Sequence, residues 1–346
     1  MKTQHKATFF AVLAATLYAI NIPISKLLLG KVEPVMMAAL LYLGAGFGLL
    51  ICKMLSGKKD RESTLTKAEL PYTIGMVALD IAAPILLMLG LRGIHSANAS
   101  LLNNFEIVAT SLLAFFFFRE KLSKHLVLAI VLVTLASVTL SFEGAGALSF
   151  CGGSLLVLAA ACCWGLENNC TRMLSNKSSA QITIIKGIFS GLGSLIVALV
   201  KREALPGFLW AMAVMLLGFV AYGLSINFYI KAQKDLGAAK TSAYYAISPF
   251  LGVIFSFLVL REKPGVQFYL GFLLMVIATV LLIKDTITLQ HTHDHTHTHC
   301  HAHRHGEMVH NHEHTHVHNH AHIHGVEENA HGHEHKVLDG HDHIHT

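Results

Sequence analysis

The feature that most constrains this chain is a succession of long, nearly uncharged apolar runs through its first 290 residues. A helix crossing a bilayer needs about 20 mostly apolar residues to span the hydrocarbon core. Ten such runs occur, over residues 8–29, 34–52, 71–91, 97–118, 125–142, 151–173, 180–200, 207–230, 239–260 and 266–284. The connections are short, the longest running from Lys53 to Leu70, so no soluble domain is expected between them. The whole chain is 14% charged, well below the roughly 25% of a soluble domain. The first run is not expected to be a cleaved leader, because it is long, contains Asn21 and Pro23, and ends without a small-residue cleavage site.

Beyond residue 290 the material changes. Of 25 histidines, 22 lie between His291 and Thr346. The first 290 residues hold 24 Lys and Arg against 13 Asp and Glu, whereas the tail holds 2 against 8. Positive charge is retained in the cytoplasm. An inside N-terminus places sixteen Lys and Arg on the cytoplasmic side of the spans and seven on the other. Both termini are therefore expected in the cytoplasm, with the protein multi-pass in the plasma (inner) membrane and its cysteines reduced.

The two halves repeat. Tyr18 to Leu28 aligns with Trp164 to Leu174, setting aromatic on aromatic, Asn21 on Glu167 and Lys26 on Arg172. Gly46 and Gly48 align with Gly191 and Gly193, and Arg119-Glu120-Lys121 aligns with Arg261-Glu262-Lys263. Five spans per copy is an odd number, so the second copy enters the membrane inverted, an arrangement that puts a site near the midplane between the halves. The expected fold class is an all-α integral membrane protein of ten transmembrane helices in two inverted five-helix repeats. Residues 1–142 form the first repeat, 143–290 the second, and 291–346 a disordered cytoplasmic tail.

Over about residues 7 to 285 the chain resembles the EamA family of the drug/metabolite transporter superfamily, on its ten spans, the aromatic motifs at Tyr18 and Trp164, and the paired Arg-Glu-Lys triplets. That resemblance implies a central cavity lined by spans 1, 3, 4, 6, 8 and 9, alternating access and small organic solutes. The family often carries a proline halfway along the fourth span of each half. Ser248-Pro249 fits, whereas the first half reads Glu106-Ile107.

Ionisable groups inside a bilayer are costly and usually face the bundle interior. Asp80, Glu106 and Glu167 are the acids at such depth, on spans 3, 4 and 6. Asn21, Asn103, Tyr222, Asn227 and Tyr245 complete the expected substrate or proton pathway, while Asn104, Asn168, Asn169 and Tyr244 add to the polar set. With no intramembrane cation expected on these spans, the cavity should favour a cationic or zwitterionic solute, or protons as the coupling ion. The bland alternative is that these groups only hydrogen-bond between helices. Lys186, one turn into span 7, reads as a snorkelling residue.

The tail alternates His with other residues. Its expected metal ligands are His291, His293, His295, His297, His299, His301, His303, His305, His310, His312, His314, His316, His318, His320, His322 and His324. Neutral imidazoles suit Zn, Ni, Co and Cu, so the tail is expected to bind such ions, with no cofactor required elsewhere. No GxxxxGK[ST] motif is present, the apolar spans hold no HExxH, and no enzymatic activity is expected. The leading reading is a proton-coupled or facilitated transporter of a small metabolite, with export as one open direction and the tail sensing or buffering metal. The alternatives are a divalent Ni, Co or Zn transporter and a non-transporting metal sensor. Expected partners are the solute, the lipid bilayer and divalent ions at the tail, with no nucleic acid; self-association is left open.

Overall fold

The computed structural model describes residues 2–56, 65–119, 122–142, 151–174, 177–236, 238–305 and 308–323. They fall into two units, Met1–Ile287 and Thr288–Thr346. The first unit is helical, and apolar side chains cover its outer face, among them Phe116, Phe117, Leu258 and Leu270. Its helices are α1 (Lys2–Ala19), α2 (Asn21–Leu28), α3 (Pro34–Ser56), α4 (Leu70–Leu91), α5 (Ser96–Leu102), α6 (Phe105–Phe118) and α7 (Lys124–Leu140). They are followed by α8 (Gly152–Arg172), α9 (Ser179–Ile185), α10 (Gly191–Val200), α11 (Phe208–Gly218), α12 (Ser225–Leu236), α13 (Ala238–Tyr245), α14 (Ser248–Leu260) and α15 (Val266–Leu289). Among the described residues, eight helical stretches are long and apolar enough to cross a membrane. The other two expected spans are α7, of 17 residues, and α8, of 21 residues, which Glu167, Asn168, Asn169 and Arg172 make less apolar.

Several of these stretches are interrupted. α5 and α6 are separated at Asn103-Asn104, and α13 and α14 at Ala246-Ile247. Pro249 sits in the first turn of α14, where the missing N–H costs nothing. The break before α6 forms without a proline: there the first turn holds Glu106, whose carboxylate complements the helix dipole. π-helical turns, Lys186–Ser190 and Phe219–Leu224, join α9 to α10 and α11 to α12.

Helix α3 is gripped by both π-turn helices, and glycine makes that grip possible. A Cβ on Gly44 would stand 2.0 Å from the Met215 carbonyl oxygen, and one on Gly218 1.9 Å from that of Leu41. A Cβ on Gly46 would fall 2.6 Å from the Ile188 nitrogen, so α3 lies directly on the backbone of the first π turn. Such small-residue contacts let helices pack without a hydrophobic driving force.

Polar side chains close the helix ends. The Glu262 carboxylate accepts from the Ser96 and Ala97 N–H groups at 2.7 and 2.9 Å, and Glu203 accepts from Val35 and Met36. Each carboxylate satisfies N–H groups that a first helical turn leaves unpaired. Lys26 caps the other polarity, donating to the carbonyls of Leu91, Arg92 and Ile94. The Arg of each Arg-Glu-Lys triplet ends its helix in the left-handed conformation, φ 54° at Arg119 and 53° at Arg261. The triplet is thus a helix stop whose glutamate, in the second copy, clamps the start of α5; Glu120 and Lys121 lie outside the described residues.

In the second unit the described tail residues pair as antiparallel strands, β1 (Gln290–His305) and β2 (Met308–Ile323). The register sets His291 opposite His322, His297 opposite His316 and His303 opposite His310. Alternation of period two, which gives no helical face, is the period of a strand. His324 lies outside the described residues.

Replacing Gly44 with Ala should lower the apparent Tm in detergent, corresponding to about 1–3 kcal/mol of overpacking. Gly152→Ala, whose Cβ meets nothing within 4 Å, should leave it unchanged.

Candidate functional site

Inside the helical unit lies a cavity of about 490 Å³. The helix breaks and the first π turn all border it. At the α5/α6 break Asn103 and Asn104 are buried, and the Asn103 Oδ1 and Asn104 Nδ2 atoms have no hydrogen-bond partner. One turn on, Glu106 faces the same space. The Asn168 amide of α8 donates to Glu106 Oε1 at 2.7 Å, and among the described residues no cation lies within ion-pair distance of this carboxylate.

The other two acids are held differently. Lys186 opens the first π turn, and its ammonium stands 2.9 Å from Glu167 Oε1 and 3.3 Å from Asp80 Oδ2. The Tyr42 hydroxyl donates to the second Asp80 oxygen at 3.0 Å, and the Trp164 indole N–H donates to the Tyr42 oxygen at 3.3 Å. Thr171, one turn along α8, donates to Glu167. Asp80 and Glu167 side chains are 1% and 3% exposed, and Lys186, at 22%, lines the cavity. Buried opposite charges held in this way are mutually dependent: loss of one partner strands the others.

This arrangement corrects the reading of Lys186 as a snorkelling side chain, and with it the expectation of a cavity without a cation. Lys186 opens the first π turn, whose extra residue rotates the helix after it by about 100° relative to the helix before it. Periodicity counted at 3.6 residues per turn cannot register that step. The cavity still holds more negative charge than positive, with three carboxylates facing one ammonium.

Tyrosines line the opposite wall. Tyr222 packs on Tyr18 and Tyr42 with ring centroids 5.9 and 5.5 Å apart, and Tyr245 packs on Tyr18 and Tyr229 at 5.7 and 5.1 Å. Asn21 stands behind this wall and donates to the Tyr222 hydroxyl at 2.9 Å. Asn103 donates to the Tyr18 hydroxyl at 3.4 Å.

Of the expected pathway residues, Asp80, Glu106, Glu167, Asn103, Tyr222 and Tyr245 line the cavity, and Asn21 supports it from behind. Asn227 does not reach it. The lining residues of that stretch are Tyr222, Ile226 and Tyr229, and Asn227 falls about 100° around the helix from Ile226. Asn169 bonds the carbonyls of Thr110 and Gly165, which is helix packing. Sequence reasoning missed Tyr42, Trp164 and Lys186 as cavity residues. The signal available for Trp164 was its repeat partnership with Tyr18, since both line the cavity.

The comparisons with known proteins agree with this architecture. A model of the EamA-like transporter family matches residues 5–142 and 152–284. An uncharacterized transporter of Methanothermobacter thermautotrophicus is 27% identical over 283 residues, covering 75% of this chain and 81% of its own. The uncharacterized transporter YyaM of Bacillus subtilis is 26% identical over 228 residues, covering 63% and 73%. A solved structure described only as that of a protein superposes with a TM-score of 0.61 at 16% identity, covering 82% of this chain and 97% of its own, a likeness of fold.

Tyr42→Phe deprives Asp80 Oδ1 of its donor and should destabilise the detergent-solubilised protein by about 1–3 kcal/mol. In an Asp80→Ala background the same substitution should cost much less, a coupling that thermal unfolding of the four-member cycle would measure.

Proposed function

Because the chain belongs to the EamA-like transporter family, we propose that this multi-pass membrane transporter moves a small cationic or zwitterionic metabolite by alternating access through the central cavity. In this reading ten helices cross the membrane as two inverted five-helix repeats, with both termini in the cytoplasm and the solute exported. The observation that carries it is Glu106. Its carboxylate faces the cavity at the start of a half-helix, bonded by Asn168 and with no cation within ion-pair distance among the described residues, beside Asn103 and Asn104 atoms that lack a hydrogen-bond partner there. A group costly to keep at membrane depth and left with capacity to spare is suited to receive a positive group or a proton. The tyrosines of the far wall supply faces for the rest of the cation.

A divalent-metal route through the same cavity loses its carboxylate path, since Lys186 already holds Asp80 and Glu167. The histidine tail is a separate matter. We propose that it binds Zn, Ni, Co or Cu from the cytosol. Its support is the His-x-His alternation together with the register that opposes histidine to histidine across β1 and β2.

Reconstituted protein tested against a panel of metabolites, with and without a pH gradient, should take up an amine-bearing member, and Glu106→Gln should reduce that uptake to background while remaining folded. Uptake at the wild-type rate by Glu106→Gln would sink this reading. Equilibrium dialysis should show several Ni²⁺ or Zn²⁺ ions bound per full-length chain and essentially none after truncation at Gln290; equal binding by both would refute the role given to the tail.

A further inference from the structure

The three cavity carboxylates are not equivalent. Asp80 and Glu167 share one ammonium, Tyr42 donates to the other Asp80 oxygen, and Thr171 donates to the Glu167 oxygen that meets Lys186, so this pair already holds a cation supplied by the protein itself. Glu106 has a neutral amide as its described partner. The amide belongs to Asn168, the neighbour in sequence of Glu167, so the filled site and the open one adjoin on one turn of α8. Lys186 cannot drift from its post without cost. It is anchored on a π turn whose next residue, Gly187, touches the α3 backbone: a Cβ there would lie 2.4 Å from the Gly46 Cα.

We propose that Lys186 sets the charge the cavity accepts: as a tethered counter-cation it already occupies the Asp80/Glu167 pair, so a solute with one positive group is taken at Glu106 in preference to one with two. The inference rests on the reading of Glu106 as the cation site and adds a selectivity rule to it. A first ammonium is met by the Glu106 carboxylate, whereas a second finds the other two carboxylates already sharing the Lys186 ammonium and is repelled by that charge. Discrimination by a placed repulsive charge, rather than by added attraction, is a general route to specificity.

The two tryptophans of the chain are Trp164 and Trp210, so Trp210→Phe leaves Trp164, on the cavity wall, as an internal optical reporter. In that background the full-length protein in detergent would be titrated with pentylamine and with pentanediamine, which share a carbon chain and differ in charge. The wild type should bind the monoamine at least about tenfold more tightly than the diamine. Lys186→Gln should reverse the preference, and Lys186→Arg, which keeps the cation, should retain it. Should Lys186→Gln fail to fold with two stranded carboxylates, Lys186→Gln combined with Asp80→Asn leaves Glu167 and Glu106 as two open acids and should show the same gain for the diamine. A purely structural Lys186 would lower stability without moving this ratio. An unchanged ratio in both Gln-containing variants, or no response of the wild type to either amine, overturns the proposal. If instead Glu106→Gln binds pentylamine as the wild type does, it is the assignment of Glu106 that fails.

Discussion

Everything polar at the centre of this protein depends on one ion cluster, the Lys186 ammonium between Asp80 and Glu167. Two carboxylates at membrane depth would be expensive to hold together in a medium that cannot solvate them. The bridging ammonium removes most of that cost, and in doing so it ties α4, α8 and the π turn after α9 to one point. Tyr42 and Trp164 extend the chain of donors, so α3 joins the same network. With Asp80 and Glu167 sharing this ammonium, the cavity is left with one carboxylate, Glu106, that has no cation within ion-pair distance among the described residues.

The helix breaks serve that economy. An uninterrupted helix has no spare backbone groups in its middle, whereas a break exposes N–H and C=O groups that can face a solute, and such breaks are tolerated in a membrane only where they line a cavity. Here the breaks occur at matching places in the two halves, before Glu106 and before Ser248. One is built with Pro249 and the other with paired asparagines and an acid in the first turn. Different residues thus produce the same interruption, and the version without proline places a charge where the other places a hydroxyl.

Much of this was legible in the residues. Long apolar runs announce membrane helices, and a carboxylate within such a run announces an interior position, so Asp80, Glu106 and Glu167 could be singled out from hydropathy alone. The repeated Arg-Glu-Lys was visible as a pattern, but its work was not: that Arg261 ends a helix in the left-handed region and that Glu262 reaches the N–H groups of Ser96 and Ala97 are long-range facts. Asn227 shows the opposite error, a polar residue on the right helix that a single step of rotation carries away from the cavity.

The amino-acid sequence by itself determined the solvent, the helical class, the family and the acids that had to be accommodated, because each follows from local composition and short-range spacing. Only the tertiary structure decided which acids are paired and which is open. That choice hangs on Lys186, 106 residues from Asp80 along the chain and at the start of a π turn. A pairing between distant helices is set by how backbones cross, here by Gly46 lying against Gly187 and Ile188, and no local pattern carries that information.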